Sequence, residues 1–203
     1  MISISDLQTG DLLLFDENPS NYLMKTLDFI IKYSTECQFS HSAIILKDPT
    51  FISPLLKGTY VWESSYHGIP DAEDDDVKFG VQIMPFDLYL KKYPGNVNIY
   101  VRKCPENALK LFTDAKLKRI HDKVHNKPYD LNPIDWFDSY KHIHKNIPTD
   151  KRFFCSAFCC YLLTHIGIMS SNTDWSSMSC ADLKYTSSAI NWNYKYSKEV
   201  IIS

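Results

Sequence analysis

The sequence predicts an α+β fold, and three observations carry that prediction. Short apolar segments crowd the first half of the chain: LLLF at 12–15, SAIIL at 42–46, YVWES at 60–64, VQIM at 81–84 and VNIYV at 97–101. The most apolar segment of helical length comes late, at 155–166. Strands grouped ahead of a dominant helix, rather than alternating with helices, belong to α+β architecture. A length of 203 residues with 44% apolar side chains suits one domain spanning 1–203.

The first strand, LLLF, follows Thr9-Gly10-Asp11, which reads as a turn. In 21–33, Leu23, Met24, Leu27, Ile30 and Ile31 recur at helical spacing, with Ser20 or Asn21 as a cap. SAIIL is stopped by Asp48-Pro49. The run DAEDDD at 71–76 reads as a solvated acidic loop, since it has neither the spacing nor the turn glycine of an EF-hand. Residues 105–126 read as mostly helical, with Leu117, Ile120 and Val124 on one face. The segment 127–149 is rich in Pro, Asp, His and Tyr and reads as an irregular connection. The late helix ends at Gly167, a C-terminal cap residue. A last short strand is expected at 200–202.

Charge and composition narrow the function. A net charge of −2 lacks the basic surplus of a nucleic-acid binder. MISISDLQTGD has no basic n-region or long apolar stretch, and no apolar run reaches the ~18 residues of a membrane span. Six cysteines in a chain of this size, without a secretory signal, are expected as free thiols in a reducing compartment. The expected location is therefore the cytoplasm of the producing or host cell.

Three of those six cysteines lie in FFCSAFCCYLL at 153–163. Lys151 and Arg152 end just before it, so the chain passes from solvent into the core near Cys155. That puts Cys155 in the first helical turn, where unpaired backbone N–H groups and the helix dipole favour a thiolate. The same N–H groups, those of Cys155 and Ser156, suit a developing oxyanion. Cys159 and Cys160 lie deeper and read as core filler.

A thiol nucleophile needs a base, and the base needs an orienting group. His121 and His125 are four apart on a helix, a spacing that suits zinc, but HDKVH lacks the glutamate of HExxH, and the pair is expected on the surface. His142 and His144 sit in a polar segment without a ligand set, and His165 is too far along the helix to reach Cys155. His67, in a loop, stays open as a base. His41 stands at the mouth of SAIIL, held by a sheet yet open at one edge. If its strand pairs with YVWES, Glu63 can bond the imidazole and hold its tautomer.

In chain order, TGDLLLF, FSHSAIIL, VWESS, NKPYD and FFCSAFCCYLL together resemble the permuted NlpC/P60 papain-like superfamily. The similarity is strongest to its YiiX-type branch of bacterial and poxvirus members, with lecithin:retinol acyltransferase-like proteins as relatives. It runs from about Leu7 to Asp182 and rests on Gly10-Asp11, Ser40-His41, Glu63, Pro128-Tyr129-Asp130 and Phe154-Cys155-Ser156. Ala157 departs from the glutamate often found after cysteine-serine. The resemblance implies a circularly permuted papain-like fold, an antiparallel barrel-like sheet packed against a catalytic cysteine helix. It implies acyl transfer in which His41 takes the Cys155 proton and Glu63 orients His41. Phe39, Trp62, Tyr66 and Phe154 are expected to line the substrate cleft.

No cofactor is expected. The leading expectation is an amidase or peptidase acting through a thioester acyl-enzyme on a peptide-, amide- or lipid-containing substrate. Two alternatives stay open: a lipid acyltransferase or phospholipase of the lecithin:retinol acyltransferase type, and a catalytically silent binding module. A zinc protein is disfavoured because no CxxC pair exists.

Overall fold

The structure, a computed structural model, describes residues 1–17, 32–33, 36–92, 97–130 and 150–202. It is an α+β fold built on one six-stranded antiparallel sheet. In chain order the elements are β1 (Leu12–Glu17), β2 (His41–Lys47), β3 (Thr59–Ser65), β4 (Gly80–Pro85), α1 (Phe86–Lys92), β5 (Val97–Arg102), α2 (Glu106–Leu109), α3 (Asp114–Val124), α4 (Cys155–Ile166) and β6 (Val200–Ile201). The strand order is β4-β3-β2-β1-β5-β6. Among the described residues β4 and β6 are the two edges, so the sheet is open rather than closed into the expected barrel-like form. All but the last two residues of the helix expected at 21–33, and most of the connection at 127–149, lie outside the described residues.

β1 is central because both of its faces are apolar. Leu12 and Leu14 face one core with Ile44, Leu46, Trp62 and Ile83. Leu13 and Phe15 face the other with Ala43, Ile45, Val61 and Met84. This is the period-two alternation of a strand buried on both sides. The turn into β1 needs Gly10: its φ is +93°, and a Cβ there would meet the Phe112 ring at 2.6 Å. The adjoining Asp11 is a structural anchor. Its Oδ1 accepts from the Cys104 N–H at 3.0 Å and its Oδ2 from the Gln8 N–H at 2.9 Å, while Lys103 Nζ lies 2.5 Å from Oδ2. The Gly10-Asp11 pair thus ties β1 to the end of β5.

The first core is covered by α4. Every residue of this helix except Thr164 and His165 is buried. Phe158, Leu162, Leu163 and Ile166 are each worth roughly 1.5–3 kcal/mol by removal from water. The helix stops as expected at Gly167, left-handed at φ 98°, whose N–H reaches the Leu163 and Thr164 carbonyls. The chain entering α4 is tied down before the cysteine. The Ser64 hydroxyl donates to the Phe153 carbonyl at 2.7 Å, the Phe153 N–H to Pro128 O at 3.2 Å, and the Asp130 N–H to Phe153 O at 3.1 Å. Pro128-Tyr129-Asp130 therefore works as a bracket for the start of α4.

Three features add to what the sequence predicts. Residues 105–126 form two helices, α2 and α3, because Thr113 caps a fresh start by accepting from the Lys116 N–H. Helix α1 was not anticipated; it covers the second core with Phe86 and Tyr89. The acidic run 71–76 is not simply solvated: the buried Asp71 carboxylate accepts from the N–H groups of Glu73 and Ile83 at 2.7 and 2.8 Å.

Candidate active site

Sheet parity assembles the polar side chains. Glu63 pairs in register with Gln82 across β3 and β4, while Ile44 pairs with Trp62 across β2 and β3. One step along that ladder sets Glu63 beside Ala43, diagonal to His41 and on the same face. His41 is the first residue of β2 and pairs with Phe15. His41 Nε2 lies 2.5 Å from Glu63 Oε2, with both residues buried. The second carboxylate oxygen is occupied too. His67 Nε2 lies 2.7 Å from Glu63 Oε1, and the Gln82 amide donates to that oxygen at 3.2 Å.

Cys155 opens α4 with no side-chain cap from Phe154. The first backbone bond of the helix runs from the Phe158 N–H to the Phe154 carbonyl. The N–H groups of Cys155, Ser156 and Ala157 therefore precede the helical ladder. The Cys155 sulfur lies 4.0 Å from the Ser40 carbonyl, at the mouth of β2. Since Nε2 of His41 is taken by Glu63, Nδ1 is the nitrogen left for the thiol.

The electrostatics follow from burial and these partners. A hydrogen bond from the Cys180 thiol lowers the Cys155 pKa most; burial opposes it, and the His41 charge, a hydrogen bond from His41 and one from the Ser42 backbone N–H add to the lowering. The net result holds Cys155 well below an ordinary thiol. Burial alone would lower His41, but the charges of Glu63 and Cys155 hold it well above its usual 6.5. Burial would likewise raise Glu63, and the two histidines outweigh it and hold the carboxyl far below the usual carboxylate range. Cys159 and Cys160 go the other way, pushed up by burial with no cation beside them. Cys155 keeps 6% of its surface exposed and the other two keep none, so only Cys155 of the three is both ionisable and reachable.

The structure brings together Cys155, Ser156, His41 and Glu63, but it divides the four aromatic residues. Trp62 is fully buried against Phe158 and His121, on the face of β3 opposite Glu63, so it is core and not cleft wall. Phe39 is buried edge-on to Tyr100 and is also core. Phe154 is 9% exposed beside Cys155, and Tyr66 is 53% exposed. Tyr66 meets Phe79 edge-on, and Phe79 stacks on Tyr129 at 5.2 Å.

Sequence reasoning missed the Glu63 partners. His67 Nε2 meets the second carboxylate oxygen of Glu63; the signal was its spacing four residues after that glutamate. Gln82 was marked by a lone polar residue inside VQIM. Cys180 lies 25 positions beyond Cys155 in an irregular stretch, and no local pattern points to it. Glu17, at the end of β1, also feels the charges of His41, His67, Glu63 and Cys155, and burial raises its carboxyl. His142 and His144 lie outside the described residues.

No family model matches the chain, and no curated protein matches it. Its fold is similar to the crystal structure of the metalloprotein YiiX from Escherichia coli O157:H7, DUF1105. That match covers 96% of this chain and 88% of the other, with a TM-score of 0.50 at 17% sequence identity. At that identity the likeness is one of fold. No helix among the described residues is long and apolar enough to cross a membrane.

Proposed function

We propose that the chain is a thiol hydrolase of the amidase or peptidase type on a permuted papain-like fold. The observation that carries the reading is the buried His41–Glu63 contact of 2.5 Å at the mouth of the helix headed by Cys155. His41 takes the Cys155 proton, and the thiolate attacks the carbonyl carbon of a bound amide. The oxyanion is received by the backbone N–H groups of Cys155 and Ser156. The C–N bond breaks as His41 returns the proton to the leaving amine, leaving a thioester on Cys155. Water, deprotonated by His41, then attacks the thioester, releasing a carboxylic acid and restoring the thiol. Glu63 orients the imidazole and stabilises its charged form, and the second oxygen of Glu63 is steadied by His67 and Gln82. A carboxylate as the histidine partner favours an amidase over a lipid acyltransferase, whose relatives carry a second histidine there. The half-open Tyr66 and Phe79 offer an apolar rim for the substrate.

The test is alkylation by iodoacetamide across pH, with site assignment by mass spectrometry, in wild type and His41→Ala. Rapid reaction at Cys155 alone below about pH 7, lost in the variant, is the expected result. An ordinary thiol profile at Cys155 in both proteins removes the chemical basis of the reading.

A second reading uses the same residues. His41, Glu63 and His67 present ligand atoms that all lie within 4.8 Å of one another, and the neighbour in fold is named a metalloprotein. Two imidazoles and a carboxylate are a donor set that suits zinc, and an ion held there would supply Lewis acidity or a more acidic water. Activity lost to a chelator and restored by zinc would favour this reading. Activity indifferent to chelator but abolished by iodoacetamide would favour the thiol.

A further inference from the structure

A second cluster stands apart from Cys155. We infer that Glu73, His121 and His125 form a divalent transition-metal site of the zinc type, pinning the 71–78 loop to the C-terminal end of α3. His121 Nε2 lies 2.8 Å and His125 Nδ1 2.9 Å from the same oxygen, Glu73 Oε2, and the two nitrogens are 3.3 Å apart. Ligands about 2.0–2.1 Å from a tetrahedral zinc lie ~3.3 Å from one another. The nitrogen pair already has that edge, and the carboxylate oxygen needs to withdraw by only about 0.5 Å.

The surroundings match a metal centre in three further ways. The outward nitrogen of each imidazole faces its own carboxylate, His121 Nδ1 toward Asp122 Oδ1 at 3.5 Å and His125 Nε2 toward Asp74 Oδ2 at 3.7 Å. Carboxylates in that position orient metal-bound histidines and raise their basicity. His121 is buried over Phe51 and Trp62, whereas His125 and Glu73 are 27% and 23% exposed on their side chains, leaving an open side for a fourth ligand. The cluster also sits at the C-terminal end of α3, where the helix dipole favours a cation. Glu73 is presented by the loop built on the buried Asp71, whose Oδ1 accepts the Glu73 N–H.

The test is zinc titration by calorimetry on the full chain carrying Cys155→Ala and His67→Ala, which remove the most acidic thiol and the second histidine of the His41–Glu63–His67 set from competition. One zinc per chain is expected. His125→Ala and Glu73→Gln should each weaken it at least tenfold, Asp74→Asn about tenfold, and Glu63→Gln should leave it unchanged. Cobalt in place of zinc should give tetrahedral d–d absorption without a thiolate charge-transfer band. Circular dichroism of each metal-free variant checks folding, and His125, being partly exposed, is the substitution least tied to the core. Absence of zinc binding overturns the inference. So does binding that survives both His125→Ala and Glu73→Gln, or that disappears with Glu63→Gln in a folded chain.

Discussion

Replacing Glu63 by glutamine keeps the side chain's shape and removes its charge, which isolates the electrostatic part of the site. The carboxylate is fully buried, with His41 at 2.5 Å on one oxygen and His67 at 2.7 Å on the other. Charge-assisted bonds contribute about 1.5–3 kcal/mol each, and removing one partner of a buried pair costs about 3–5 kcal/mol. Glutamine keeps one acceptor and the histidines can go neutral, so Glu63→Gln is expected to cost about 3 kcal/mol, at the low end.

The cost should depend on pH in a definite way. The depressed pKa of Glu63 contributes stability above its usual 4.5, lost as pH falls toward the folded value. The raised pKa of His41 contributes stability below 6.5, lost as pH rises through the folded value. Both contributions are complete only between 4.5 and 6.5, so the difference between wild type and variant should peak there and shrink on either side. Urea denaturation from about pH 3 to pH 9 measures it. Alkylation gives a second readout, because an unsupported thiol of pKa ~8.5 is only about 0.1% thiolate near pH 5.5. Cys155 reactivity there should fall by up to about three orders of magnitude, partly offset by the greater nucleophilicity of a more basic thiolate. A stability difference that is flat across pH, or below about 1 kcal/mol with an unchanged alkylation profile, would refute the reasoning.

Other perturbations test the frame around the site. Cys180→Ala removes the thiol that donates to Cys155, so the Cys155 alkylation profile should move to higher pH while its dependence on His41 persists. Gly80→Ala places a Cβ 2.1 Å from the Lys127 carbonyl, in the bridge between Gly80 and Pro128, and should lower unfolding free energy by about 2 kcal/mol or more in urea melts. Arg102 is fully buried, donating to the carbonyls of Leu183, Tyr196 and Ser197, and burial pulls its pKa down to about 10. Arg102→Ala leaves those carbonyls without their donor and should cost about 3–5 kcal/mol, read in the same melts.

The amino-acid sequence by itself determined the elements whose cause is local. Short apolar runs at 12–15, 42–46 and 60–64 give strands buried on both faces; the apolar run ending at Gly167 gives the cysteine helix and its stop. A cysteine at a helix start and a histidine at a strand mouth were legible because each depends on neighbours within one turn or one strand. The tertiary structure alone decided what those residues meet. Whether Trp62 lines a cleft or fills a core depends on which sheet face α4 covers. Two further outcomes depend on how strands and loops are brought side by side. One is whether Glu63 serves one histidine or two; the other is whether Glu73 reaches His121 and His125 across about fifty residues. Local periodicity carries no information about such encounters, because they are fixed by which apolar faces pack together and not by the polar residues that the packing then sets in contact.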